Sequence, residues 1–259
     1  MSGHSKWANI KRTKGKNDAQ RGKVFTKIGK EIAVAVKIGG ADPSNNPRLR
    51  DAIAKAKQNN LPGDNITRSI KKASGELGSI NYENITYEGY GVGGSAVMVE
   101  CLTDNKNRTA GDIRHCFDKC GGALSTTGSV SYSFVRHGVL IIDKIMNQKE
   151  QKNHKEVITK VAVDEDGLMA AALDAGAGDM QDLGDVFEVL TDPNDYIAVK
   201  EKLEQQGFEF TYSGLDYVPE NYINLSDEQT ATFVKMIDML NDLDDVQEVY
   251  HNVNLPEEE

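Results

Sequence analysis

The residues with most chemistry to offer are cations. Lys6, Lys11, Arg12, Lys14, Lys16, Arg21 and Lys23 fall within 18 consecutive positions, Lys27 and Lys30 follow, and Asp18 is the one acid between Gly3 and Lys30. So dense a run concentrates positive potential at the spacing of a phosphate backbone. Each neutralised phosphate releases counterions, so five to seven contacts would give a slope of log affinity against log salt of roughly −4 to −6. The chain's one tryptophan, Trp7, lies inside the run. It can stack on an exposed base, a contact of roughly 1–3 kcal/mol, or bury its ring to anchor the arm on a helical bundle, and the anchor is the stronger reading. The expected nucleic-acid-binding set is therefore Lys6, Trp7, Lys11, Arg12, Lys14, Lys16, Arg21, Lys23 and Lys27. No helix-turn-helix or zinc-finger spacing accompanies it, so backbone contact is better supported than base reading.

Other reactive residue types form no recognisable centre. "EGYGVGG" (Glu88–Gly94) leads into the apolar run "SAVMVE" instead of opening a helix, so its glycines read as turn residues and not as a dinucleotide fingerprint. His115, Cys116 and Cys120 lack a fourth ligand at zinc spacing, and the cysteines read as core residues. "LSTTGSV" reads as a hydroxyl-rich turn. Residues 164–195 hold ten acids and no Lys or Arg. Asp164, Glu165 and Asp166 do not fit a calcium loop, because Gly167 comes too early. That stretch reads as a solvated face, with a basic protein partner as the alternative. No catalytic, cofactor-binding or metal residue is assigned, and neither an enzyme activity nor a small-molecule substrate is expected.

The cations stand out because the chain opposes them. Its 259 residues carry a formal charge of −10 and a sequence pI near 5.1. Residues 1–80 nevertheless hold 17 basic against 6 acidic residues, a formal +11, and the remainder holds 13 against 34, or −21. Such asymmetry marks one end as nucleic-acid-facing. A hydrophobic fraction of 39% supplies real cores. No apolar run reaches the roughly 18 residues of a membrane span, and no secretory apolar segment opens the chain. Three cysteines suit a reduced compartment. A cytoplasmic protein with no membrane partner is expected.

The elements that must position these residues can be read from periodicity. Val24, Ile28, Ile32 and Val36 recur at helical spacing, and Gly39-Gly40 supply a stop. Asn46 can cap a second helix with Pro47 at its first position. A third carries Ile66, Ile70 and Ala73 and ends at Gly75. After Gly78 strands alternate with helices: two strands flank the Gly-rich turn, a helix covers "NRTAGDIRHCFDKCGG", and "GSVSYSFV" and "HGVLIID" read as strands. Helices follow at "DEDGLMAAALDAGA", "PNDYIAVKEKLEQQG" and "SDEQTATFVKMIDMLNDL", with strands at "DVFEVLT", "FEFTYSGLDYV" and "VQEVYHNV". The fold class is α+β, a small helical bundle followed by two ferredoxin-like α/β domains, one inserted in the other. The expected limits are 1–78 for the basic helical domain, 79–135 plus 213–259 for one α/β domain, and 136–212 for the acidic insert. Two side-by-side domains cut near residue 143 are the alternative.

These segments also carry a family resemblance. "GHSKWANIKRTKGKNDAQRGKVFTKIGKEIAVA", "NPRLRDAIAKAKQNNLPGDNITRSIKKASGE", "YEGYGVGGSAVMVECLTDNKNRT", "LSTTGSVSYSF" and "DYVPEN" resemble the YebC family along nearly the whole chain. The resemblance implies a cytoplasmic nucleic-acid-binding regulator of gene expression without a catalytic site. Some members are described as DNA-binding transcriptional regulators. Others act in translation, on the ribosome or in mitochondria. The expected function is therefore a DNA-binding transcriptional regulator, with a ribosome-associated translation factor binding rRNA or tRNA as the alternative and an enzyme using the acidic domains as a remote third.

Overall fold

A computed structural model describes residues 7, 10, 18–75, 81–152 and 155–255, and their side chains except at 18–21, 147–152 and 155–159. Three helices come first: α1 (Asp18–Gly39), α2 (Pro47–Gln58) and α3 (Gly63–Ser74). Ile28, Ile32, Ala35, Leu49, Ala52, Ala56 and Ile66 close into one core, as their spacing predicts. The joint between α1 and α2 is Asn46, 3% exposed. Its side-chain oxygen accepts the Leu49 N–H (3.1 Å), and its amide donates to the carbonyls of Ala35 and Gly40 (2.8 Å each). One residue thus caps α2 and satisfies carbonyls that the end of α1 leaves open.

The first sheet has strand order β10-β2-β1-β3, all neighbours antiparallel. Its strands are β1 (Glu83–Tyr90), β2 (Ala96–Thr103), β3 (Ala123–Leu124) and β10 (Val246–His251). Between β1 and β2 the Gly-rich segment makes a turn, with Gly93 at φ +68° and Gly94 at φ +75°. Helices α4 (Lys106–Lys119) and α7 (Asp227–Asn241) bury Ile113, Phe117, Phe233, Met236 and Ile237 against Val97 and Val99. Ser226 starts α7 in a reciprocal capping box with Gln229.

The second sheet has strand order β7-β8-β4-β9, again antiparallel throughout. It uses β4 (Phe134–Asp143), β7 (Asp179–Asp182), β8 (Val186–Thr191) and β9 (Tyr212–Pro219), with α5 (Glu165–Ala175) and α6 (Tyr196–Gln205) on one face. Read as β4-α5-β7-β8-α6-β9, this is the split β-α-β arrangement of the ferredoxin-like class. The first sheet reaches the same order with different wiring, since β1 precedes β2 in the chain. A hairpin of β5 (Ile145–Lys152) and β6 (Lys155–Ala162), not expected from the sequence, stands between β4 and α5.

Two expectations are corrected. "GSVSYSFV" does not form a strand of the first sheet: residues 131–133 make a 3₁₀ turn and β4 begins at Phe134. The reason is Glu88, 3% exposed, whose carboxylate accepts the N–H groups of Gly128, Val130 and Ser131 (2.8 Å each). Backbone donors spent on a carboxylate cannot join a ladder. Burial opposes ionisation of Glu88, but these bonds hold its carboxyl below the ordinary value. The second correction concerns Phe134, Val135 and Ser213–Pro219, expected beside the first sheet. They pair with each other instead, in register from Phe134↔Pro219 to Ile141↔Tyr212.

Candidate nucleic-acid interface

Cations of the helical bundle divide by helix face. Lys23, Lys27 and Lys30 recur at four- and three-residue spacing along α1, hence on one side of it. That side meets the C-terminal end of α7, which has no basic residue in its own last turn. Helix C-termini expose unpaired carbonyls and carry partial negative charge, and α1 supplies the missing cations. Lys23 pairs with Asp242 (3.0 Å), Lys27 Nζ donates to the Asn241 carbonyl (2.8 Å), and Lys30 Nζ donates to the Asp244 carbonyl (2.9 Å). From α2, Lys55 bridges Glu31 (2.7 Å) and Glu248 (3.4 Å).

Asp245 is the centre of this joint. Its carboxylate accepts from Lys30 (2.6 Å), Arg108 (2.7 Å), Thr109 (2.8 Å) and Thr103 (3.2 Å). Side-chain exposure is 9% for Asp245 and 13% for Lys30, so this pair is largely withdrawn from water. Burial alone would raise the Asp245 pKa; the bonds from Arg108, Lys30 and Thr109 outweigh it and bring it down to about 2. Burial lowers the pKa of Lys27, with the charge of Glu248 acting against it.

The other cations face outward. Arg48 and Lys57 on α2, and Arg68, Lys71 and Lys72 on α3, are exposed. Their placement follows from the apolar pattern: Leu49, Ala52 and Ala56, and Ile66 with Ile70, turn inward and force the remaining positions out. Arg68 and Lys72 are one turn apart, and α3 has no acid after Asp64. A cleft of about 850 Å³ opens beside them, between α1, α3 and residues 81–84.

The predicted site is thus partly redistributed. Lys6, Lys11, Arg12, Lys14 and Lys16 lie outside the described residues, as does the side chain of Arg21. Lys23 and Lys27, expected at phosphates, are engaged within the molecule. Trp7 is half-buried together with Ile10 against Val139, Ile141, Leu183, Val186 and Leu190, on the face of the second sheet opposite its helices, and not on the helical bundle. Arg48, Lys57, Arg68, Lys71 and Lys72 were not singled out from the sequence. The usable signal was the i, i+4 spacing of Arg68 and Lys72 on a helix with no acid after Asp64.

The remaining motifs have structural roles where they are described. Cys101, Cys116 and Cys120 are buried and free, and burial pushes the Cys101 thiol up to about 12 and that of Cys116 to about 11. His115 is exposed. Within 164–195, Asp164 caps α5 through the Gly167 N–H (3.2 Å) and Asp182 accepts from Lys144 (2.7 Å). Glu188 is 1% exposed, and its Oε2 has no hydrogen-bond partner. Burial, with the charges of Asp216 and Asp179, pushes it up to about 8. Among the described residues no group of three or more His, Cys, Asp or Glu could hold a metal ion, and no helix is long and apolar enough to cross a membrane.

A cationic three-helix domain joined to two antiparallel α/β sheets defines the class of protein. Residues 5–76 match the family model "TACO1/YebC protein N-terminal domain", and residues 82–253 match "TACO1/YebC second and third domain". The chain belongs to the TACO1/YebC family. It is 52% identical over 257 residues to a probable transcriptional regulatory protein of Clostridium botulinum (strain Okra), covering 99% of this chain and 98% of the relative. A protein of the same description from Acetivibrio thermocellus is 53% identical over 253 residues, covering 97% and 98%. A crystal structure of a conserved hypothetical protein from Aquifex aeolicus matches at a TM-score of 0.78 and 40% identity, covering 93% of each chain.

Proposed function

We propose that this chain is a nucleic-acid-binding regulator of gene expression, acting as a DNA-binding transcriptional regulator in the cytoplasm and without an enzymatic step. The observation that carries this reading is the exposed cluster Arg68, Lys71 and Lys72 on α3, with Arg48 and Lys57 exposed on α2, on a chain whose formal charge is −10. Cations left in solvent on an otherwise acidic molecule are available to phosphates. The description shared by the relatives supports regulation of transcription. In this reading the molecule has three working units: residues 1–78, the first sheet with its two helices, and the second sheet running from β4 to β9. The basic segment Lys6–Arg21 extends the phosphate-contacting surface. The acidic stretch 164–195 turns nucleic acid away and offers a surface to a basic protein.

Crosslinking in cells, followed by sequencing of the attached nucleic acid, tests the target. Discrete promoter fragments are expected. Recovery of rRNA or tRNA with little genomic DNA would replace the transcriptional reading with the ribosomal one.

A further inference from the structure

The cleft between α1, α3 and residues 81–84 has a composition that phosphate contact alone does not require. We infer that it receives a single nucleotide unit, base inward and phosphate at the mouth, a ligand class shared by a nucleotide of a bound strand and a free nucleoside monophosphate. In its first form the inference rests on the reading above.

Three observations carry it. The cleft measures about 850 Å³, within the range of small-ligand pockets. Its lining is mixed: Phe25, Val34 and Leu61 supply apolar surface among polar side chains, and Arg68 and Lys72 stand exposed at its edge. The amides of Asn65 and Asn84 also line it and can both donate and accept, as the edge of a base requires. A bare phosphate backbone would need only the cations; apolar side chains interleaved with amides suit a planar base.

Charge points the same way. Lys37, Arg68 and Lys72 meet one acid in the lining, Glu83, and Glu83 already pairs with Lys106 (2.5 Å). Lys37 itself is held by the side chain of Asn81. The cleft therefore presents unbalanced positive charge to a ligand carrying a phosphate.

The third observation is Gly29. It lies in the interior of α1 and lines the cleft, and a Cβ built there would meet no atom within 4 Å. Neither a positive φ nor close packing asks for glycine, and glycine is a poor helix former. What its absent side chain does is keep the cleft open.

The test uses the full chain and two substitutions. Gly29→Phe fills the cleft from a position where helix propensity improves, and Arg68→Ala with Lys72→Ala removes the charge at its mouth without touching the core. The probes are a short single-stranded oligonucleotide, the same strand carrying abasic sites, and free AMP, each titrated by fluorescence or calorimetry beside a melting curve. The wild type should prefer the intact strand to the abasic one by about tenfold, the value of one stacked base. Gly29→Phe should abolish that preference with the melting temperature unchanged or raised. The double alanine variant should weaken binding of both the intact strand and AMP, and it keeps the test standing if Gly29→Phe does not fold. Equal affinity of the wild type for both strands, with no AMP binding, would overturn the inference and leave the proposed function standing. A wild type that holds neither single strand would leave the proposed function to its own test on genomic DNA; AMP binding lost in the variants would then keep the cleft as a free-nucleotide site, and its absence would end the inference. AMP bound equally by all three proteins would place it elsewhere and overturn the cleft assignment.

Discussion

On one side of the helical bundle Lys23, Lys27, Lys30 and Lys55 reach carbonyls and carboxylates of the α/β part; on α2 and α3, Arg48, Lys57, Arg68, Lys71 and Lys72 stand in solvent. The residue types are the same and the sequence density is similar. The difference lies in what each face meets. The first lies against the end of α7 and the turn through Asp244 and Asp245, where unpaired carbonyls and acids collect. Counting lysines therefore measures two things at once, the joint that holds the bundle to the sheets and the surface left for a ligand.

The comparison breaks most visibly at Asp245. Asp245→Ala leaves the largely buried Lys30 without its carboxylate, whereas the exposed Arg108 keeps Asp104, and losing one member of a buried pair costs about 3–5 kcal/mol. Chemical denaturation should register that loss, and native-state proteolysis should find the helical bundle released first. An unchanged denaturation midpoint would mean the joint contributes nothing. Asp245 also sets the acid limit. Its folded pKa of about 2 lies below the ordinary 3.8, so its contribution is present above the ordinary value and is lost as pH falls through about 2.

Glu188 sharpens the contrast by doing the reverse. Its folded pKa of about 8 lies above the ordinary 4.5, so the folded state keeps a proton that the unfolded chain releases. Stability therefore falls as pH rises from 4.5 to 8. Glu188→Gln cannot ionise and should be more stable than wild type by about 1–3 kcal/mol at pH 8, with the gain shrinking toward pH 4. A gain independent of pH would contradict the assignment. Asp245 is a buried carboxylate with four donors and strengthens its surroundings; Glu188 is one with an unpartnered oxygen and weakens them.

Local signals in the sequence predicted much of the fold. Asn46-Pro47, Ser226 and the glycines after α1, α4 and α5 mark helix ends by backbone chemistry, which needs no knowledge of the rest of the chain. Long-range pairing was less accessible. Glu88 gathers three N–H groups some 40 residues away and converts an alternating segment into a turn. The β5–β6 hairpin escaped because "IMNQKEQKNHKEVITKVA" is too polar to show a buried face. The site followed the same division. The sequence exposes the cationic bias of the first 80 residues, but Lys27 and Arg68 look alike until α7 is known to end beside one of them. Trp7 reads as an anchor from its area alone, while its seat beside Val139 and Ile141 is a tertiary fact.

The measurement nearest to the central claim is the salt dependence of nucleic-acid affinity in three forms of the full chain: wild type, Lys23→Ala, and Arg68→Ala with Lys71→Ala and Lys72→Ala. Each lost phosphate contact removes about 0.9 from the slope of log affinity against log salt. The triple variant should be shallower than wild type by about 2–3, with its melting temperature unchanged, and Lys23→Ala should match the wild-type slope. A triple variant with the wild-type slope, or a slope that flattens only when Lys23 is removed, would contradict the assignment of the exposed α3 cations to nucleic acid.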